Sequence, residues 1–221
     1  SLIDMLLSEQ LRSESAKFEA IVKHRFSDEL AAGTIEKHVL KAYLIQDHRF
    51  LDAFVVLLSS MIAAAPSLSD RIPGCQFLAL VTGKENTYFE RSFEALGVTQ
   101  EERDSTPDAP PTTAFKALMR DAAGTGELGE MLAVLIAAEW SYQSWAERVL
   151  PAAVAQPFWC KEWIDLHSGE YFGSVVAYLR GLLDTSALSA AQLSAVRARF
   201  DCAVELEVAF FDSAYAHTDA N

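Results

Sequence analysis

"LAVLIAAEWSYQSWAERVLP", Leu132 to Pro151, decides the fold class. An apolar run from Met131 to Ala138 leads into Glu139, and three aromatics follow at Trp140, Tyr142 and Trp145. No alternation of period two is present, and the stretch is far too long for a strand, so it reads as a buried helix of about Leu128 to Leu150. On a helix, residues three or four positions apart share a face. The face of Glu139 is then Leu132, Leu135, Ile136, Tyr142, Gln143 and Ala146, which is apolar with two polar tips. Glutamate is ordinarily solvated. An isolated buried charge is costly, so a buried Glu139 needs a partner or a raised pKa.

Outward from this helix, the 3.6-residue pattern continues almost everywhere. Leu6 to Leu30 repeats apolar residues at helical spacing, and Gly33 ends it. Thr34 can cap a second helix, from about Ile35 to Ala65, which stops before Pro66. Pro73-Gly74 predicts a break, followed by a helical region from Gln76 to Leu96 with Gly97 as C-terminal cap. Thr99 to Glu102 and Ser189 to Gln192 both read as capping boxes. Thr106 to Thr113 predicts a proline-rich loop, Ala114 to Ala123 a helix, and Gly124 to Gly129 a turn. After Pro151 and Pro157 come helices over about Phe158–His167 and Glu170–Leu183, and a last helix runs to about Tyr215. With no repeat and no long linker, the expectation is an all-α bundle, a single domain over residues 1–221.

Composition narrows the function. Of 221 residues 51% are hydrophobic, enough for a large core, and the formal charge is −13 from 31 acidic and 18 basic residues. With no Lys/Arg cluster, a nucleic-acid partner is not expected. No apolar run approaches the length of a membrane span. The start, SLIDMLLSEQLRSESAKF, lacks the basic and apolar regions of a secretory leader, and a cytoplasmic location is expected. Three cysteines, Cys75, Cys160 and Cys202, are widely spaced, so neither a disulfide framework nor a structural zinc site is expected. None of the five histidines, His24, His38, His48, His167 and His217, follows an acid by three residues, as helical di-iron sites require, and no metal is expected. G-x-S-x-G is absent.

Two more acids share the setting of Glu139. Asp47 has Tyr43, Leu44, Phe50, Leu51 and Phe54 on its face, and Glu207 has Ala203, Val204, Phe210, Phe211 and Ala214. Glu205 instead sees Asp201, Cys202 and Asp212 and is expected in solvent. Three helices each presenting one carboxyl on an apolar stripe predict a shared polar pocket, and such carboxyls are candidate acids and bases.

Taken in order, Gln46-Asp47, the Glu139 helix, "EWIDLHSGEYF" (162–172) and "LEVAFFDSAYAH" (206–217) resemble the TenA/THI-4 family, which includes thiaminase II. The resemblance spans nearly the whole chain. It implies a haem-oxygenase-like helical bundle without haem or other cofactor, and often a homo-oligomer, a dimer or tetramer. It implies a small-molecule substrate of thiamin salvage, 4-amino-5-aminomethyl-2-methylpyrimidine, its N-formyl derivative or thiamin, hydrolysed to hydroxymethylpyrimidine. By that resemblance Asp47 contacts the pyrimidine and Glu207 is catalytic, with Phe210 and Tyr142 around the ring. The chain departs from the family pattern at three positions. Relatives keep a nucleophilic cysteine four residues before the tyrosine, where Ala138 stands here, so the chain resembles a cysteine-lacking branch in which Glu139 is base or nucleophile. Phe50 and His167 occupy positions where tyrosines are usual. His167 either hydrogen-bonds in a phenol's place or is satisfied locally, and both remain open. A cofactor-free oxygenase of the pyrroloquinoline quinone synthesis type, and a non-catalytic ligand-binding protein, are the rival readings. The acids weigh against the first.

Overall fold

The computed structural model describes residues 4–216 and contains no strand among them. His217, at the end of the last motif, lies outside them. The chain folds as α1 (Leu7–Glu14), α2 (Phe18–Val22), α3 (Arg25–Ala32), α4 (Lys37–Ala64), α5 (Leu68–Leu80), a π-helical turn (Val81–Glu85), α6 (Asn86–Leu96), α7 (Gln100–Ser105), α8 (Pro110–Thr125), α9 (Leu128–Val149), α10 (Phe158–Leu166), α11 (Gly169–Asp184) and α12 (Ala190–Tyr215).

The helix opened by the Leu132 stretch is the axis of the bundle. In α9 every residue from Met131 to Ala138 is buried, and α12, α11, α8, α4 and α2 all pack against it. An element apolar on all sides is stable only when enclosed in this way. Helix α12 lies along α9 and also touches α4 and α8, so three long helices from distant parts of the sequence share one interior. Ser189 starts α12 with a complete capping box. At α7 Thr99 Oγ1 accepts from the Glu102 N–H.

Several local expectations are corrected. Leu6–Leu30 is three helices rather than one. Its second break lies at His24, whose extended backbone and Nδ1, accepting from the Phe26 N–H at 3.1 Å, start α3 as a histidine N-cap. The breaks let α2 pack on α9 and α12 while α3 packs on α9 and α10, which one straight rod could not do. Thr34 does not cap α4. Its N–H and that of Ile35 both bond back to the Glu29 carbonyl, and Glu36 takes the N-cap position. Pro73-Gly74 is not a break but lies inside α5. Proline in a helix removes one hydrogen bond. Here Gly74 offsets that loss by close packing, since a Cβ there would stand 2.7 Å from Ile62 Cγ1 of α4. The Thr106–Thr113 loop ends at Ala109, because Pro110 and Pro111 occupy the first turn of α8, where no N–H is needed.

Candidate active site

Gln46, next to Asp47, fixes the first wall. Its Oε1 accepts from the Ala109 N–H at 2.9 Å and from Thr112 Oγ1 at 2.7 Å, and its Nε2 donates to the Pro107 carbonyl at 3.1 Å. The side chain thereby ties α4 to the start of α8, and Asp47 faces inward beside it. Asp47, Glu139 and Glu207 all line one cavity. Glu205 is exposed and sits 3.6 Å from Lys17, as its mixed face implied.

Asp47 is 6% exposed and Glu207 only 1%. Burial holds both carboxyls well above the ordinary range, reinforced by Glu85 at Asp47, and by Asp47 and Glu139 at Glu207. Glu139 is raised in the same way, by burial and then by the charges of Glu85 and Asp47. Glu207 Oε2 is buried without a hydrogen-bond partner. A native protein seldom leaves such an atom unpaired.

The rest of the wall is largely apolar and aromatic: Phe50, Leu51, Phe54, Phe77, Val81, Met119, Ala138, Tyr142 and Trp163. Tyr142 OH lies 2.6 Å from Tyr43 OH, and burial keeps both phenols protonated. Phe50 lines the cavity. Phe210 is not among the lining residues and packs edge-on against Phe50 and Tyr43 at 5.1 and 5.4 Å. His167 is satisfied locally and also faces the cavity. Its Nδ1 donates to the Trp163 carbonyl at 2.8 Å, and the ring also lines the cavity. Burial pushes its pKa down to about 4, so the ring is neutral and Nε2 carries a lone pair.

One site residue was missed from the sequence. Glu85, at the end of the π-helical turn, is the fourth carboxyl of the cavity, and burial pushes its pKa up to about 8. Val81, Tyr88 and Phe89 stood at helical spacing around it, the same apolar setting that marked the other three. The π turn, a form that recurs at functional sites, then alters the register and directs Glu85 inward. Among the described residues no group of three or more His, Cys, Asp or Glu is set to hold a metal ion.

The cysteines lie elsewhere. Cys75 and Cys202 are exposed, and Cys160 is buried, with its thiol pushed up to about 11. None lines the cavity, whereas Ala138 does.

The sequence model of the TENA/THI-4/PQQC family matches residues 13–217. The chain belongs to this family. A relative named aminopyrimidine aminohydrolase, from Halalkalibacterium halodurans, is 25% identical over 90% of each chain. Among solved structures, a TenA homologue from P. horikoshii OT3 superposes with a TM-score of 0.83 at 22% identity, covering 96% of this chain and 99% of that one. A domain from Shewanella denitrificans OS217, described as having a heme oxygenase-like fold, gives a TM-score of 0.64 at 13% identity over 96% and 88% of the two chains. The fold is the haem-oxygenase-like all-α bundle of TenA proteins. No described helix is long and apolar enough to cross a membrane.

Proposed function

We propose that this TenA-family chain is an aminopyrimidine aminohydrolase of thiamin salvage that works without a thiol nucleophile. The observation that carries the reading is the cavity itself, where Asp47, Glu139 and Glu207 meet between aromatic walls and Glu207 Oε2 has no partner. The aminohydrolase name of the relative from Halalkalibacterium supports the reaction class.

The substrate we assign is 4-amino-5-aminomethyl-2-methylpyrimidine. Its amino group and adjacent ring nitrogen form an amidine-like edge, which Asp47, its pKa raised by burial, matches with paired hydrogen bonds, its O–H donating to the ring nitrogen and its carbonyl accepting from the amino N–H. Tyr142, Phe50 and Trp163 hold the flat ring. With Glu139 ionised and Glu207 protonated, a water molecule attacks the methylene carbon and gives a proton to Glu139. The carbon–nitrogen bond breaks, and Glu207 protonates the departing amine, which leaves as ammonia. The products are hydroxymethylpyrimidine and ammonia, and the two carboxyls have exchanged one proton overall. A carboxyl kept protonated by burial is suited to the acid role. Ala138, at the cavity wall where the resemblance calls for cysteine, supports placing the chain in the Glu-type branch. An oxygenase acting on an acidic quinone precursor would need cationic walls, and no Lys or Arg is among the lining residues.

The test is product analysis with the free amine, its N-formyl derivative and thiamin. Release of hydroxymethylpyrimidine and ammonia from the free amine, at the highest kcat/KM of the three, is the expected result. Absence of any hydrolysis would remove the reading.

A further inference from the structure

The fourth carboxyl has no part in the reaction as proposed, yet its placement is closely controlled. Asp47 and Glu85 come from different elements, α4 and the π-helical turn, and line the same cavity. The residues that follow them in sequence are joined: His48 Nε2 donates to Asn86 Oδ1 at 3.1 Å. The tautomer follows from the other ring nitrogen, since Arg103 Nη2 approaches His48 Nδ1 at 3.4 Å and, being only a donor, requires Nδ1 to accept. This bond ties α4 to the start of α6, one residue beyond each acid, and both acids line the same cavity.

We propose that Glu85 is a substrate-recognition residue, which together with Asp47 reads the 4-amino group of the pyrimidine. This rests on the aminopyrimidine reading above. The amino group has two N–H bonds. One lies beside the ring nitrogen and falls to Asp47 as part of the paired contact. The other points toward the 5-substituent, the side on which the attacking water and Glu139 work. This second N–H falls to Glu85, which lines the same cavity as Asp47 and Glu139 and whose charge acts on both. A second, independent sign that the cavity is built for a hydrogen-bond donor is Glu207 Oε2, fully buried and unpartnered. His167 Nε2 adds another acceptor, and no Lys or Arg side chain lines the wall to satisfy any of them. A pyrimidine with oxygen at position 4 would meet an ionised Glu85 with a lone pair in place of an N–H, and a site built to accept a hydrogen bond strongly rejects an analogue that lacks the donor.

Calorimetry with the 4-amino hydroxymethylpyrimidine and its 4-oxo counterpart tests this, because both are unreactive and report binding alone. Wild-type protein should favour the amino form. Measured above about pH 8, where Glu85 is ionised, Glu85→Gln should weaken that form by about tenfold or more, the usual cost of a lost charge-assisted contact, and narrow the preference, since an amide can donate to the oxo group. Glu85→Asp keeps a carboxylate and should retain more of the preference than Gln does, which provides a second reading if the Gln variant folds poorly. In turnover, KM should rise more than kcat falls. A folded Glu85→Gln that binds the amino form within about twofold of wild type, or weakens both ligands equally, overturns the proposal. If wild type shows amino preference that depends on Glu85 but hydrolyses no amine, the reaction fails and the recognition role stands. Wild type that binds neither pyrimidine overturns both.

Discussion

Glu207 and Glu139 divide the proposed chemistry, and each assignment has its own consequence. Glu207 is 1% exposed, and its raised pKa keeps a proton available for a departing amine. Glu207→Gln preserves shape and can donate a hydrogen bond but cannot transfer a proton. Turnover should fall by about 10²–10⁴-fold, the usual contribution of a positioned acid, with a smaller change in binding. Glu139→Gln should also depress turnover, and single-turnover kinetics on the folded variant would show the loss in the chemical step. Unchanged turnover would make Glu139 structural. The cysteines give the opposite expectation. Replacing Cys75, Cys160 and Cys202 together by serine or alanine should leave kcat/KM within about twofold of wild type, because none reaches the cavity. Asp47, Glu139 and Glu207 were legible from sequence because each sits on an ideal helix, where the residues three and four away report its surroundings. Phe210 was placed too far inward. Periodicity gives a face but not the depth of side chains: Phe210 packs edge-on to Phe50 and is not among the lining residues.

Elements were read best where a long helix has one consistent environment. The expected Leu128–Leu150 is α9 within one residue, and α12 begins at the expected capping box. The failures share a cause, a tertiary contact that overrides a local rule. His24 starts α3 through its own ring nitrogen, which no propensity anticipates. Pro73 remains within α5 because its neighbour has no side chain and the helix can lie against α4. That account predicts that Gly74→Ala destabilises the protein, since the new Cβ would meet Ile62 at 2.7 Å. A loss of about 1–3 kcal/mol by urea denaturation is expected for such overpacking. No loss would mean that Ile62 shifts freely. The π turn also escaped the sequence reading, because a change of register from i+4 to i+5 leaves no mark in apolar periodicity.

For the molecule as a whole, a cavity that holds acids above their ordinary pKa imposes a cost that grows with pH. Glu85 titrates near its ordinary 4.5 when unfolded and at about 8 when folded. Between those values the native state binds more protons than the unfolded chain, so this residue's contribution to stability falls as pH rises, by at most ~1.4 kcal/mol per pH unit. His167 works in the opposite sense. It is neutral when folded down to about 4 and titrates near 6.5 when unfolded, so it costs stability as pH falls below 6.5. The difference between wild type and Glu85→Gln isolates the first effect: the variant's stability advantage should grow from pH 5 to pH 8 and level off above. An advantage independent of pH would contradict the raised pKa. A ligand donating to these carboxyls should stabilise the native protein by mass action. The central claim is that a family member with alanine in the nucleophile position hydrolyses an aminomethylpyrimidine through buried carboxyls. It is tested most directly by following hydroxymethylpyrimidine release from the free amine by wild type, the triple-cysteine variant and Glu207→Gln, all shown to be folded. The account predicts turnover by the first two and a loss of about 10²–10⁴-fold in the third. A thiol-dependent reaction, or full activity in Glu207→Gln, would contradict it.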